Sequence, residues 1–490
     1  MGLIDTGIDF THPEFRRDSG HKIIALWDQL DSSRNNYTFE DGTALGSVYY
    51  GSEINSDDCP SVDVDGHGTM VASAAVGNSC GLAPDADLVV VKVDYFNFDE
   101  MMLAYGIEFI RRTANLRHQP YVISLSYLPK GGPKDGETGV LARILEGELA
   151  TNLGGGLLKG IVAAAGNENY EASNQCRDEN NRMHVHKAGT GDFDLEINTT
   201  SNNTNDDACV LELWYPVENS YGVLLTSPTG RVYGPVDPDL LPVKDFGDDG
   251  FLMISNNRRS MEKWGAIRIV MRDPDSVMAA MTDTAPLREG TWNIQMIGDS
   301  GVWHGYVTYQ YPADIIKAIS KADQTNQFKI RSAGNVRDVV TVGSINNGTV
   351  TWRDLFGMTT DYTGCYDPNE ISHFSSRGPT KAGVDKPDIY TEGAWVRLAA
   401  SKDVTIELGD SRRKNTLFFD EYYVMEEGTS FSAPRVAGAI AQMIALDSDS
   451  SLTHDRIKYI LETTAKRRGR GVNSFRCLDF EKALELGAKY

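Results

Sequence analysis

Short apolar runs alternate with amphipathic stretches toward both ends of the chain. In the first part, the apolar runs are LVVVKV at 88–93, YVISLS at 121–126 and GIVAAAGN at 160–167, and helical patterns fill 100–112 and 139–150. After residue 312 the alternation returns with DVVTVGSI at 338–345, followed by helical patterns at 432–446 and 454–464. Strands separated by helices are typical of a parallel sheet covered on both faces. The pattern therefore predicts an α/β fold built on a doubly wound, mostly parallel sheet.

The middle of the chain follows a different pattern. Between residues 171 and 311, short alternating runs such as DFDLEI, CVLELWYP and YGVLLTSP are separated by turns rich in Asn, Asp, Gly and Pro. Alternation with a period of two and frequent turns is typical of antiparallel strands packed as a sandwich. We therefore predict that residues 1–170 and 312–490 form the two parts of one α/β domain, interrupted by an inserted β-sandwich at 171–311.

Length and charge narrow the classes of function. A chain of 490 residues exceeds the roughly 250–300 residues at which a single core stops growing, so a second module is expected. The net charge of -22 argues against a nucleic-acid partner, because phosphate binding needs clustered Lys and Arg. No apolar run approaches the roughly 20 residues of a membrane span. The 6 cysteines form no C-x-x-C pair, so they predict neither a disulfide framework nor a metal site, although one or two bridges stay open.

Three separated segments carry residues suited to catalysis by a hydroxyl nucleophile. They are LIDTGID around Asp5, DGHGTMVASAA around His67 and GTSFSAPRVAGAIAQM around Ser430. Taken singly, each has an ordinary alternative: a turn carboxylate, a loop histidine and a helix N-cap serine. A carboxylate at the end of a buried strand and a serine at a helix N-terminus are nevertheless where ligand sites and anion-stabilising N–H groups occur.

Taken together and in this order, the segments resemble the subtilisin family, whose triad runs Asp, His, Ser. Further similarity lies in GLAPDADLVVVKV, in GIVAAAGNEN, and in HFSSRGP followed by KPDIYTEG. The resemblance implies that Ser430 attacks the scissile carbonyl, that His67 transfers the proton, and that Asp5 orients the imidazole. It also implies that the Asn167 side chain donates to the oxyanion. Asn335, in SAGN, precedes a strand instead of following one and is predicted to be a turn residue.

The segment that would line the substrate cleft departs from the family. Subtilisins have a Ser-Leu-Gly-Gly run there, whereas this chain has Ser126, Tyr127, Leu128 and Pro129. Glycines let an extended substrate pair with the strand, while proline removes a donor. Ser126 and Tyr127 are still predicted to bind substrate.

The resemblance also bears on metals. The turn between Gly77 and Gly81 lacks the longer loop that binds calcium tightly in many subtilisins, and Glu14 stands where those enzymes have a calcium-ligating Asp. We expect no such site and no required cofactor, and a structural calcium elsewhere stays open. His184 and His186 alternate along a predicted strand and could pair as metal ligands, but no third ligand is evident, which favours a structural role.

The predicted sandwich resembles the jelly-roll module that interrupts some bacterial subtilases, including the spore-germination type. VLLTSPTGRVYG and LREGTWNIQMIGDS are the most similar runs. Trp292 and Trp303 are predicted to lie in its core. A role for this module in binding glycans or a partner protein has no motif behind it.

The leading hypothesis is therefore a serine endopeptidase that cleaves proteins or peptides in extended conformation. The alternative is a catalytically impaired protein of the same fold that acts as a binding or regulatory scaffold. Only Met1 to Ile4 precede Asp5, so we expect that upstream sequence is missing from this chain. Whether a pro-segment precedes Met1, and in which compartment the protein works, stays open.

Overall fold

The chain divides into two compact units. The computed structural model describes residues 1–34, 36–39, 42, 44–55, 58–94, 100–126, 132, 135–151, 156–169, 184–199, 207–258, 263–274, 282, 284–311, 315–320, 323–325, 327–347, 351–353, 359–361, 370–404, 417–418, 422–448, 450–469 and 474–489. The first unit contains Met1–Pro129, Asp135–Asn167 and Ile330–Tyr490. The second contains Lys130–Lys134 and Glu168–Lys329, a wider span than the predicted 171–311.

The first unit carries the described helices. They are α1 (Gly51–Asn55), α2 (His67–Val76), α3 (Glu100–Leu116), α4 (Val140–Thr151), α5 (Thr429–Leu446), α6 (His454–Thr464) and α7 (Phe480–Gly487). Short 3-10 turns lie at Pro13–Phe15 and Ser332–Asn335. Side-chain caps begin α6 and α7, where Thr453 and Asp479 accept backbone N–H groups, as helix N-termini require. None of the described helices combines the length and apolar character of a membrane-spanning segment.

The strands of the first unit form one large sheet and three small ones. They are β1 (Gly2–Asp5), β2 (Arg16–Arg17), β3 (Gly20–His21), β4 (Ile23–Asp28), β5 (Ser47–Tyr50), β6 (Leu88–Lys92), β7 (Tyr121–Leu125), β8 (Leu158–Ala164), β21 (Val340–Asn346), β22 (Thr351–Arg353), β23 (Thr359–Asp361), β24 (Ile389–Ala394), β25 (Val396–Ala399), β26 (Leu417–Phe418), β27 (Tyr423–Glu426), β28 (Lys466–Arg468) and β29 (Phe475–Cys477). The large sheet has 10 strands in the order β28-β29-β24-β21-β8-β7-β1-β6-β4-β5. Its pairings are parallel except at the two edges, where β28 and β5 run antiparallel. The predicted α/β fold with a mostly parallel sheet is confirmed.

Apolar side chains cover both faces of this sheet. On one face, Ile123 and Leu125 of β7 pack in a cluster with residues of α3 and α4. On the other, Val122 of the same strand packs with residues of α5 and α6. Alternate residues of a strand point to opposite faces, so strands buried on both sides need the continuous apolar runs seen in the sequence.

Strand order places β1 at the centre, between β6 and β7. The chain adds β4 and β6 on one side of β1 and then β7 and β8 on the other. Such a reversal opens a crevice at the carboxyl ends of the strands, where ligands of open α/β sheets bind. Asp5, the last residue of β1, stands at this end of the sheet.

The second unit consists of strands in its described part. They are β9 (His184–Ala188), β10 (Gly191–Ile197), β11 (Ala208–Pro216), β12 (Tyr221–Thr226), β13 (Val232–Val236), β14 (Val243–Gly247), β15 (Gly250–Asn257), β16 (Trp264–Arg272), β17 (Gly290–Gly298), β18 (Val302–Tyr311), β19 (Ile316–Ser320) and β20 (Asp323–Gln324). They pair as a 5-stranded sheet, β13-β12-β17-β10-β19, and a 7-stranded sheet, β14-β15-β16-β11-β18-β9-β20. Trp292 and Trp303 are fully buried in the core that residues of both sheets share.

The histidines singled out in the second unit have different surroundings. His184 is buried, with Nε2 3.0 Å from Nδ1 of His304 and Nδ1 2.9 Å from the carbonyl oxygen of Gln327. The side chain of His186 lies outside the described residues. Within the described ranges, no three His, Cys, Asp or Glu side chains form a group that could hold a metal ion. Cys59, Cys80, Cys209 and Cys477 are free thiols, and Cys176 and Cys365 fall outside the described ranges.

Candidate active site

Asp5 ends β1 and is a buried residue with 1% exposure. Its Oδ1 accepts the backbone N–H of Thr6 at 2.8 Å and lies 2.7 Å from Nδ1 of His67. Since a carboxylate oxygen accepts and cannot donate, Nδ1 of the ring carries the proton and Nε2 faces away from Asp5.

Two glycines let the chain turn sharply around His67, which begins α2. Gly66 adopts a left-handed conformation with φ 86°, which favours glycine. Gly68 lies so close to the preceding segment that a Cβ there would be 2.1 Å from the carbonyl oxygen of Gly7. The helix begins at His67 itself, so the Gly-His-Gly run continues directly into helical turns.

The pKa of His67 results from opposing effects. Burial lowers it, whereas the charge of Asp5 and the hydrogen bond to it raise it. Asp65 and Asp63 add negative charge nearby, and together these carboxylates raise the pKa of His67 to about 9. The ring without substrate is therefore mostly protonated at neutral pH.

Ser430 is the second residue of α5, just after Gly428 and Thr429. Its hydroxyl donates to the carbonyl oxygen of Ser126 at 3.4 Å, and no hydrogen bond between these described residues joins it to His67. The start of α5 nevertheless lies beside the histidine, since the ring centroids of His67 and Phe431 are 5.9 Å apart. The structure therefore brings Asp5 and His67 into direct contact and directs the serine hydroxyl toward the carbonyl of Ser126.

Ser126 contacts the nucleophile's segment from the end of β7. Its hydroxyl donates to the carbonyl oxygen of Ser430 at 2.8 Å. That carbonyl is available because Pro434, four residues later in α5, has no N–H to donate to it. Tyr127, the other residue predicted to bind substrate, lies outside the described residues.

Asn167 follows β8 and is held by the residue before the nucleophile. Its Oδ1 accepts the backbone N–H of Thr429 at 3.0 Å and the Thr429 hydroxyl at 2.8 Å. The same hydroxyl accepts the N–H of Gly166 at 3.1 Å. Because the backbone N–H can pair only with the amide oxygen, Nδ2 of Asn167 is directed elsewhere, and a Cβ on Gly428 would lie 3.3 Å from it. Asn335 lies apart, buried in its 3-10 turn, with Nδ2 donating to the carbonyl of Ile330 at 2.7 Å.

The sequence interpretation missed the polar residues that support these side chains. Asp63 is fully buried and accepts hydrogen bonds from the segments of Asp5 and His67. Thr429 fixes the amide of Asn167. The signal was available in the runs DTGID and VDVDGHGT, where small polar residues adjoin each candidate, but their partners depend on the folded geometry.

Comparisons of this chain with a protein-family model, with a relative and with a solved structure give consistent matches. A model of the Subtilase family (Peptidase_S8) matches residues 1–209 and 296–477. Serine protease AprX of Bacillus subtilis (strain 168) is 31% identical over 133 residues, which are 27% of this chain and 26% of that protein. The match thus spans about a quarter of that relative's length. The structure of the Clostridium perfringens CspB protease shares the fold, with a TM-score of 0.71 at 21% identity over 100% of this chain and 94% of that one.

Proposed function

Because the chain belongs to the subtilase family of serine peptidases, we propose that it hydrolyses peptide bonds through Ser430, His67 and Asp5. The observation that carries the proposal is the 2.7 Å hydrogen bond between Asp5 and His67, beside the first turn of the helix that begins with Thr429 and Ser430. Ser430, His67 and Asp5 supply the nucleophile, the base and the orienting carboxylate that an acyl-enzyme mechanism requires.

The first proton transfer follows from the tautomer that Asp5 selects. With Nδ1–H donated to Asp5, a neutral His67 presents a lone pair on Nε2. The Ser430 hydroxyl must rotate away from the carbonyl of Ser126 to donate to it. Ser430 Oγ then attacks the substrate carbonyl while Nε2 takes the proton, which it later gives to the leaving amine, and Asp5 stabilises the imidazolium in between.

The negative charge that develops on the substrate oxygen needs donors. Asn167 is suited to this role because Thr429 occupies its oxygen and leaves Nδ2 to donate. The backbone N–H of Ser430, in the first turn of α5, supplies a second donor and adds the favourable end of the helix dipole.

The proposed chemistry uses only groups of this chain, so no cofactor is required, and a structural calcium stays a separate proposal. The substrate would be a protein or peptide bound in extended conformation, with Ser126 and Tyr127 in the cleft. We also propose that the strands of 168–329 form a jelly-roll-like module similar to those inserted in some bacterial subtilases.

A fluorophosphonate probe tests the proposal directly. Wild-type protein should be labelled on Ser430 and should cleave casein, whereas Ser430→Ala should do neither while keeping its circular dichroism spectrum. Removing the nucleophile leaves only the roughly 10³–10⁴-fold acceleration that the oxyanion donors and binding supply. A folded wild-type protein that resists the probe from neutral to alkaline pH would contradict the peptidase proposal and support the impaired scaffold.

A further inference from the structure

Asp63 is a fully buried carboxylate that no step of the proposed mechanism uses. Four hydrogen bonds end on it. Oδ1 accepts the Thr6 hydroxyl at 2.9 Å and the Gly66 N–H at 2.9 Å, and Oδ2 accepts the Thr69 N–H at 2.8 Å and the Thr69 hydroxyl at 2.6 Å. A buried carboxylate is costly unless its oxygens are satisfied, so this arrangement holds its partners firmly.

Thr6 and Thr69, the two threonines bonded to Asp63, each accept one further backbone N–H with the hydroxyl oxygen. Thr6 Oγ1 also accepts the N–H of Gly68 at 2.8 Å. Thr69 Oγ1 also accepts the N–H of Asp9 at 2.9 Å. Each hydroxyl thus joins the segment after β1 directly to the first turn of α2, and each is oriented by donating its own proton to Asp63.

We infer that Asp63 is a positioning residue that fixes the turn of His67 against the segment of Asp5, so that the imidazole is held for proton transfer. This inference rests on the proposed function. Asp63 contacts neither the ring nor the nucleophile, and it acts through Thr6 and Thr69. Misplacement of a reacting group by about 1 Å can cost about 10²-fold in rate, so such a network belongs to the catalytic geometry.

Charge is a second, separable effect. Asp5, Asp65 and Asp63 all raise the pKa of His67. Replacing Asp63 by Asn would therefore change both the position of His67 and the acid limb of the pH–rate profile. Thr6→Val keeps the carboxylate and removes only the hydroxyl, so it isolates the geometric effect, whereas Asp65→Asn removes a charge that makes no contact with either threonine.

The test compares Thr6→Val, Asp63→Asn and Asp65→Asn by steady-state kinetics across pH, with folding checked by circular dichroism. Thr6→Val should lower kcat about 10- to 100-fold with KM within about twofold and the acid limb in place. Asp63→Asn should lower kcat at least as much and move the limb to lower pH. Asp65→Asn should move the limb with a smaller fall in kcat.

The inference is overturned if Thr6→Val keeps kcat within about twofold of wild type or loses its efficiency through KM. It is also overturned if Asp63→Asn and Asp65→Asn behave alike. Should Asp63→Asn not fold, Thr6→Val decides alone. The low-field proton resonance of the His67 Nδ1–H provides a readout that needs no activity: a shift in Thr6→Val supports the network even if the wild-type protein does not cleave peptides, and an unshifted resonance contradicts it.

Discussion

In the candidate site, some side chains would take part in proton transfer, and others orient their neighbours through hydrogen bonds. His67 and Ser430 would exchange the proton, while Asp5, Asp63 and Thr429 make hydrogen bonds that orient His67, the first turn of α2 and Asn167 respectively. Hydrogen bonds to charged groups contribute about 1.5–3 kcal/mol each, enough to select one rotamer over another. The candidate catalytic residues are therefore held in place by neighbouring polar groups that take no part in the proposed proton transfer.

The pH dependence of activity follows from the pKa of His67. His67 must be neutral to act as the base, and nearby carboxylates raise its pKa to about 9, so kcat/KM should rise from neutral to alkaline pH with a midpoint of about 9. The rate of labelling by a fluorophosphonate should follow the same limb, because it needs the same neutral ring. A midpoint near the ordinary histidine value of about 6.5 would show that the carboxylates do not control the ring.

The amide of Asn167 should matter to the transition state and little to binding. Asn167→Ala is expected to lower kcat by about 10²–10³ with KM nearly unchanged, measured on a fluorogenic peptide. Thr429→Val is the matched control, since it removes one hydroxyl that orients the amide but leaves the donor in place. Its loss should be smaller, and equal losses in the two variants, or a change of less than about tenfold in Asn167→Ala, would contradict the oxyanion role.

At the level of secondary-structure elements, the sequence motifs predicted the local structure in which candidate residues lie. They did not predict which distant elements form hydrogen bonds with these residues. The runs around Asp5 and Ser430 indicated a strand end and a helix start, because glycines and apolar runs encode local conformation. The contact between Ser126 and the carbonyl of Ser430 was not predictable, since it joins residues 304 positions apart. Long-range partners of polar groups are set by the fold, which a local pattern does not contain.

Glu14 is the clearest case of a polar residue with such long-range partners. It is buried, and its carboxylate accepts the N–H groups of Ser79 and Cys80 at 2.8 and 3.2 Å, the Ser79 hydroxyl, and the Tyr423 hydroxyl at 2.7 Å. It thereby joins the chain after β1, the turn after α2, and β27, which leads toward Ser430. Since protein donors occupy both oxygens, Glu14 is poorly suited to bind a cation while they stay in place.

Glu14→Gln should reduce the free energy of unfolding in urea by about 1–3 kcal/mol, because the amide replaces one acceptor with a donor. Burial raises the pKa of Glu14, but its hydrogen bonds outweigh this and lower it, so its stabilisation is present above the ordinary value of about 4.3 and is lost as pH falls through the lowered pKa.

Tyr423→Phe, which removes one of the Glu14 bonds, should be destabilised less than Glu14→Gln. A Glu14→Gln protein as stable as wild type would show that the hydrogen bonds of Glu14 do not stabilise the fold.

For the whole molecule, the alternation of strands and helices predicted the parallel sheet because strands buried on both faces need continuous apolar runs. In the second unit, strands β19 and β20 lie beyond residue 311, and the chain rejoins the first unit at Ile330. Periodicity marks elements, but the residue at which a chain passes from one core to another depends on contacts between distant segments. The assignment of this unit as an autonomous module stays a prediction.

The way the chain leaves and re-enters the first unit makes that prediction testable. The N–H of Arg331 donates to the carbonyl of Ala165 at 2.9 Å, so the two ends of the excursion lie side by side within the first unit. Replacing 168–329 with a short glycine linker should therefore leave a folded unit that unfolds cooperatively and still labels at Ser430, since inserted modules with adjacent ends can be removed at small loop-closure cost. The segment 168–329 expressed alone is the matching control and should unfold in its own transition. Insoluble or uncooperative products from both would show that the two cores depend on each other, whereas a folded but unlabelled first unit would assign the second unit a part in catalysis.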